Sequence, residues 1–298
     1  MNSWVLLLWA ALAADNYTAD ILAKRHARDD EFRSRTWSAL AVTAIASMER
    51  PRITIGSGAD ADLRLVSPEV AAIHAEIVRE QDSAGRPTFR LNVSGGKVWT
   101  DAEPPAEVKE IPFEAGRRVR IDRFIVFWEN LGTFGPVLRA LDYSTPAYTR
   151  FKGLSYFPPN PAFRVTARLT PYPIMKRIMI ADTHGWRRPA WRYGEASFTL
   201  NRKSLRLVLL LFTPQPGEKD TFFIAFTDET RGKETYPAAR YLQPRFVSTG
   251  RLVLDFNEAF NPLCAYNTGF ACPLPPRENR LPVAIRAGEK IYPNAVGH

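Results

Sequence analysis

The chain has 298 residues, 45% hydrophobic and 24% charged, which excludes a wholly disordered protein, a collagen-like fibre and a multi-span membrane protein. Its 40 Lys and Arg against 31 Asp and Glu give a net charge of +9, held unevenly: residues 1–145 carry 18 basic and 20 acidic side chains, residues 146–298 carry 22 and 11. Twelve basic residues lie between Arg150 and Arg206, facing only Asp182 and Glu195 in the sequence, so this region either meets anions or decorates the solvent faces of strands.

Trp4 to Leu12 is an unbroken apolar run, too short to span a bilayer. With Ala11-Leu12-Ala13 as a small-x-small cleavage step, residues 1–13 read as a signal peptide, although no Lys or Arg precedes the run. The expected address is therefore outside the cytosol, periplasmic or extracellular, which argues against a nucleic-acid partner. No other stretch approaches the roughly 18 apolar residues of a membrane helix. Residues 14–49 are expected to form a short N-terminal helix and a connector, with Thr18 as a cap and Tyr17, Ile21 and Leu22 sharing a face.

From Arg52 the hydrophobic period shifts from helix to strand. Ile53-Thr54-Ile55, Leu63-Arg64-Leu65, Phe89-Arg90-Leu91 and Val119-Arg120-Ile121 alternate, and Phe124 to Trp128 is a buried strand candidate. Turn signals about every ten residues fit a β-sandwich over residues 50–145. The run Gly56-Ser57-Gly58-Ala59-Asp60-Ala61-Asp62, followed by Val70-Ala71-Ala72-Ile73-His74-Ala75, resembles a forkhead-associated (FHA) domain. Ser57 stands where that family has a phosphate-binding Arg, and Ala71 where it has a phosphate-binding Ser. Phosphothreonine recognition needs charge-assisted bonds to a dianion, so the resemblance implies the fold without phosphopeptide binding. His74 reads as a satisfied structural histidine.

Residues 146–298 are expected to form a second, basic antiparallel β domain, a barrel or a sandwich, ending in a Pro- and Asn-rich coil. Phe163 to Leu169, Leu205 to Phe212, Thr221 to Phe226 and Arg251 to Phe256 are its strand candidates. The fold class is thus mainly β, with an N-terminal helix.

Three stretches of this half carry the candidate chemistry. They are Phe151-Lys152-Gly153-Leu154-Ser155-Tyr156-Phe157-Pro158, the run Asp228 to Tyr236 leading to Arg240, and the long run Leu254 to Lys290. On these residues the chain resembles the bacterial domain-of-unknown-function family 1684. That resemblance implies a predominantly β, often exported protein and no established activity. The candidate ligand-binding residues are Lys152, Asp228, Tyr236, Arg240, Asp255, Asn257, Asn261, Glu278, Asn279 and Arg280, gathered under the coil as a lid. The competing reading is that these groups satisfy one another and the coil's own backbone.

Cys264 and Cys272 flank a turn and are expected to form a disulfide that stiffens the coil. Two free thiols, or redox or metal chemistry, are the alternatives. Gly-x-Ser-x-Gly, His-Glu-x-x-His, P-loop and Gly-x-Gly-x-x-Gly patterns are absent, and neither a metal nor a cofactor is expected. Two functions remain open. One is a non-catalytic exported or envelope-associated protein binding an anionic small molecule, glycan or lipid head group. The other is a hydrolase using Asp228, Asp255 or Glu278.

Overall fold

The computed structural model describes residues 3–131, 135–213 and 222–293, with side chains of the first helix from residue 15 onward. The chain is mainly β and divides into two compact units, Phe32–Phe151 on the one hand and Met1–Glu31 with Lys152–His298 on the other. The side chains of the apolar run at residues 4–12 lie outside the described residues.

The unit Phe32–Phe151 holds eleven described strands: β1 (Val42–Ser47), β2 (Arg52–Gly56), β3 (Leu63–Arg64), β4 (Ala75–Gln81), β5 (Pro87–Val93), β6 (Val98–Thr100), β7 (Glu107–Val108), β8 (Glu110–Pro112), β9 (Val119–Ile121), β10 (Phe124–Asn130) and β11 (Pro136–Leu141). They form a six-stranded sheet in the order β1-β11-β10-β9-β6-β7 and a five-stranded sheet in the order β3-β2-β4-β5-β8. Alternate residues of each sheet, Ile53, Ile55, Ile77 and Leu91 from one and Val119, Ile121, Val126, Leu138 and Ala140 from the other, enter one core. This is how two half-apolar sheets bury their inner faces. Gly56 permits a close approach: a Cβ there would meet the Ala72 carbonyl oxygen at 2.1 Å.

The other unit begins with α1 (Ser3–Arg33). Its sheet is antiparallel, in the order β14-β13-β12-β18-β17, from β12 (Arg164–Ala181), β13 (Arg187–Leu200), β14 (Lys203–Leu211), β17 (Arg245–Ser248) and β18 (Arg251–Asp255). A separate pair, β15 (Ile224–Phe226) and β16 (Arg240–Leu242), packs beside it. The five-stranded sheet is open, with β14 and β17 at its edges, so the barrel alternative does not hold.

The C-terminal coil is a wall of the core. Leu281, Val283, Ile285 and Ala287 are buried in one cluster with Leu207, Leu209, Phe226, Leu252, Leu254 and Phe256. Side chains alternate across extended backbone, so Pro282, Ala284 and Arg286 point the other way.

Candidate functional site

The candidate site is the seam where α1 lies on the coil of its own unit. Tyr17, Ile21, Lys24, Arg25 and Arg28 recur at three- and four-residue spacing and so share one helical face. Ile21 is buried while Leu22 is 51% exposed. The expected pairing of these two therefore fails, because adjacent helical residues lie about 100° apart.

Each polar residue of that face meets a residue of the motif stretches. The Tyr17 hydroxyl donates to Asp255 Oδ1 at 2.9 Å, and Asn257 Nδ2 donates to the Tyr17 oxygen at 2.8 Å. Lys24 Nζ lies 2.5 Å from Glu258 Oε1. Arg25 donates to the Phe157 carbonyl at 2.8 Å and stacks over the Tyr156 ring at 4.6 Å. Arg28 Nε meets Glu289 Oε1 at 2.7 Å, and its Nη2 donates to the Asn261 carbonyl at 3.1 Å. The Leu154 N–H donates to Asp29 at 3.0 Å.

Glu289 is fully buried, and its carboxylate also accepts from the Tyr266 hydroxyl at 2.7 Å and from the Asn261 N–H. An ionised buried carboxylate needs this many donors. Gly288 sets its position: at φ +76° a Cβ would meet the Ala259 and Phe256 carbonyl oxygens at 2.5 and 2.6 Å. The charge of Glu289 and burial act on the phenols around it. Burial first, then Glu289, pushes Tyr156 and Tyr266 above their ordinary value. Burial, then the Asp255 hydrogen bond, does the same to Tyr17.

Beneath α1 lies a half-open cavity of about 160 Å³, lined by Lys24, Arg25, Arg28, Tyr156, Gln243 and Asn257, among others. Lys24 and Arg28 have carboxylate partners. The hydrogen bonds of Arg25 go to the carbonyls of Phe157 and Asn257, and its buried Nε has no partner. Burial lowers its pKa, against the opposing pull of Tyr156, Tyr17, Glu289 and Asp255.

The ten expected ligand residues do not converge. Asp255, Asn257 and Asn261 gather under α1, but Asp255 and Asn257 serve it and the neighbouring coil. Asn257 also accepts from the Asn160 N–H and donates to the Asn160 carbonyl, both at 2.8 Å. The Nδ2 of Asn261 donates to the Lys290 carbonyl at 2.8 Å.

Asp228 and Arg240 form a sealed ion pair at 2.5 Å, with the guanidinium also donating to the Ile285 and Ala287 carbonyls. Asp228 takes further bonds from the Thr230 N–H and hydroxyl, which with the Arg231 N–H bond to its carbonyl fold residues 228–231 into a turn. Tyr236 is buried, with its hydroxyl 3.8 Å from Cys264 Sγ.

Asn279 closes the edge of β14. Its Oδ1 accepts from the Val208 N–H at 2.7 Å, and its Nδ2 donates to the Val208 and Ala225 carbonyls at 3.0 and 2.9 Å. Glu278 pairs with Arg192 at 2.8 Å. Lys152, Glu278 and Arg280 are exposed, away from the seam's hydrogen bonds. For most of the ten, then, mutual satisfaction prevails over the lid reading.

Cys264 and Cys272 are buried and adjacent, and in this structure both are free thiols rather than the expected disulfide. The Cys264 N–H donates to Cys272 Sγ at 3.3 Å. The hydrogen bond between the two sulfurs lowers Cys264; the same bond, then burial, raises Cys272. The residues that sequence reasoning missed are Lys24, Arg25, Arg28, Tyr266 and Glu289. The helical spacing 17-21-24-25-28 was the available signal for the basic three. Among the described residues no cluster of His, Cys, Asp and Glu is placed to hold a metal ion, and no described helix is long and apolar enough to cross a membrane.

Two solved structures are similar. An uncharacterised protein of Haloarcula marismortui, determined by NMR in solution, is 34% identical over 50% of this chain and 82% of its own, with a TM-score of 0.41. A Synechocystis sp. protein known from a crystal structure is 18% identical over 35% of this chain and 98% of its own, with a TM-score of 0.23. No curated protein matches the chain. Residues 149–290 match a family described as a protein of unknown function, DUF1684. That span includes Tyr156, Asp255, Asn257, Asn261 and Glu289, the residues that grip α1, but not α1 itself, and over it the chain is similar to the DUF1684 family.

Proposed function

We propose that this is an exported, non-catalytic binding protein whose α1-bearing unit holds a small anion in the cavity beneath the helix. The observation that carries the reading is the lining by Lys24, Arg25 and Arg28. Two of these charges are neutralised by Glu258 and Glu289, whereas Arg25 is met by carbonyl dipoles and the Tyr156 face. One uncompensated, half-buried cation favours a ligand of one negative charge. A hydrolase reading has less support, because Asp228 and Asp255 are 7% and 2% exposed and bonded throughout, and Glu278 lies elsewhere.

Export is supported by the apolar run and its small-x-small step. The first described contact of α1 is made by Tyr17, so cleavage after Ala13 would leave the described seam whole. In an oxidising compartment the adjacent sulfurs of Cys264 and Cys272 join. Thiol titration of the denatured protein should then find no free thiol after export and two after reduction. For the unit Phe32–Phe151 we propose an FHA-type sandwich that does not read phosphothreonine. Ser57 gives its hydroxyl to the Val70 carbonyl at 2.6 Å, and His74 holds the Ala71 N–H and the Lys97 carbonyl.

The test is calorimetric titration of the full chain with acetate and with inorganic phosphate, repeated on Arg25→Gln. Acetate binding that weakens about tenfold in the variant, with an unchanged far-ultraviolet spectrum, is the expected result. Equal heats for the two proteins would overturn the site.

A further inference from the structure

We propose that the distal half of the β12–β13 hairpin is a docking surface for a bilayer carrying anionic head groups. The surface is separate from the cavity beneath α1 and does not depend on it. β18 pairs only with residues 164–168 of β12, and β14 reaches only to Trp191 of β13. Past those points the strands pair with each other alone among the described strands, through Ile178↔Ala190, Met179↔Pro189 and Ala181↔Arg187.

Paired residues of an antiparallel ribbon point to the same side. One side of this ribbon carries Ile178, Ile180 and Ala190, which pack on Val208 and Leu210. The other carries Arg177, Met179, Ala181, Arg187, Pro189 and Trp191. On that side Met179 is 42% exposed, Arg177 and Arg187 are exposed, and Trp186 in the connecting turn is 72% exposed. Where the register slips between Pro171 and Lys176, Ile174 stands out at 84% exposure.

The charges of this surface have one sign. The ribbon's acid, Asp182, turns inward and pairs with Arg188 at 2.9 Å. Glu195, farther back, binds the Tyr172 hydroxyl at 2.7 Å. Arg177 and Arg187 meet no carboxylate among the described residues. The tip is held in place, since the Leu274 N–H donates to the Ala181 carbonyl and the Thr183 N–H to the Cys272 carbonyl. A fixed ribbon that displays Trp, Ile and Met among unpaired cations suits a membrane interface. There indole and aliphatic groups enter the head-group layer, and each nearby Lys or Arg is attracted to anionic lipid.

The experiment is co-sedimentation of the full chain with phosphatidylcholine vesicles and with vesicles containing equal parts of phosphatidylcholine and phosphatidylglycerol. The double variants Arg177→Glu/Arg187→Glu and Ile174→Ser/Trp186→Ser are measured beside it, their melting temperatures confirming the fold. All three proteins share the apolar run at residues 4–12, so differences between them belong to the hairpin. Binding to the anionic vesicles about tenfold or more above the neutral ones, weakened by salt and reduced to the neutral level by the charge reversal, is expected. The Ser variant should bind several-fold less. No preference for anionic lipid, equal binding of the charge-reversed variant, or an exposed face used instead for self-association on gel filtration overturns the proposal.

Discussion

Each of the two units has its own kind of internal contact. In Phe32–Phe151, two sheets bring alternate Ile, Leu, Val and Phe side chains into one apolar core, and most of its ion pairs lie at the surface. The α1-bearing unit has an apolar core too, but around it Asp228, Arg240, Asp255, Asn257, Asn261, Asn279 and Glu289 are all buried. Short strands with apolar faces close a sandwich with few buried polar groups, Arg139 and Asp142 among them. A long coil and a helix with a polar face cannot, so their backbone and side-chain polar groups must find partners inside.

The sharpest way to break the comparison is to remove one half of a buried ion pair. Asp228→Ala should destabilise the α1-bearing unit by about 3–5 kcal/mol, because it leaves Arg240 charged and sealed. Hydrogen exchange read segment by segment should show residues 222–293 losing protection while β4 and β5 keep theirs. Equal loss in both units would mean that they unfold as one.

High pH should also separate the units. Tyr17, Tyr156, Tyr236, Tyr241 and Tyr266 are all pushed up from 10.0, chiefly by burial, whereas the sandwich contributes Tyr143. A raised folded value means that the stabilisation is whole below pH 10.0 and is lost as pH climbs through the folded values. Tyrosinate absorbance above pH 10.0 should rise together with loss of the α1 seam, and Tyr17→Phe should reduce this alkaline sensitivity.

A smaller effect sharpens the other side. In the sandwich, Asp142 accepts from the Ser144 N–H and hydroxyl and from Arg123. Burial pushes its carboxyl up, but these bonds outweigh it and hold the pKa below the ordinary value. That stabilisation is present above the unfolded value and is lost as pH falls through the folded one. Asp142→Asn should lower the denaturation midpoint near neutral pH by the equivalent of about 1 kcal/mol, with a smaller difference from the parent in acid. An equal difference at every pH would remove Asp142 as the cause.

Much of the architecture was legible in the residues. Alternation placed β2, β5 and β9, apolar runs placed β10 and β14, and two of the three stretches that carried the family resemblance prove to grip α1. The site was less legible, for a physical reason: Asp, Asn and Arg in a Pro-rich coil look the same whether they await a ligand or bind the chain itself. Only three-dimensional partners distinguish the two cases, as Asn279 on the β14 edge illustrates. One clue was missed within the coil. The alternation of Leu281, Val283, Ile285 and Ala287 already marked it as a core wall.

The seam also orders events during synthesis. Tyr17 and Arg28 leave the ribosome early, yet their partners Asp255 and Glu289 lie 238 and 261 residues downstream. The sandwich, complete by Phe151, has everything it needs to collapse while translation continues. Arg25 and Asp29 can meet Phe157 and Leu154 midway, but the Tyr17 and Arg28 contacts must wait for Asp255 and Glu289, and during that interval this part of the helix face is what a chaperone or a translocation machine would meet.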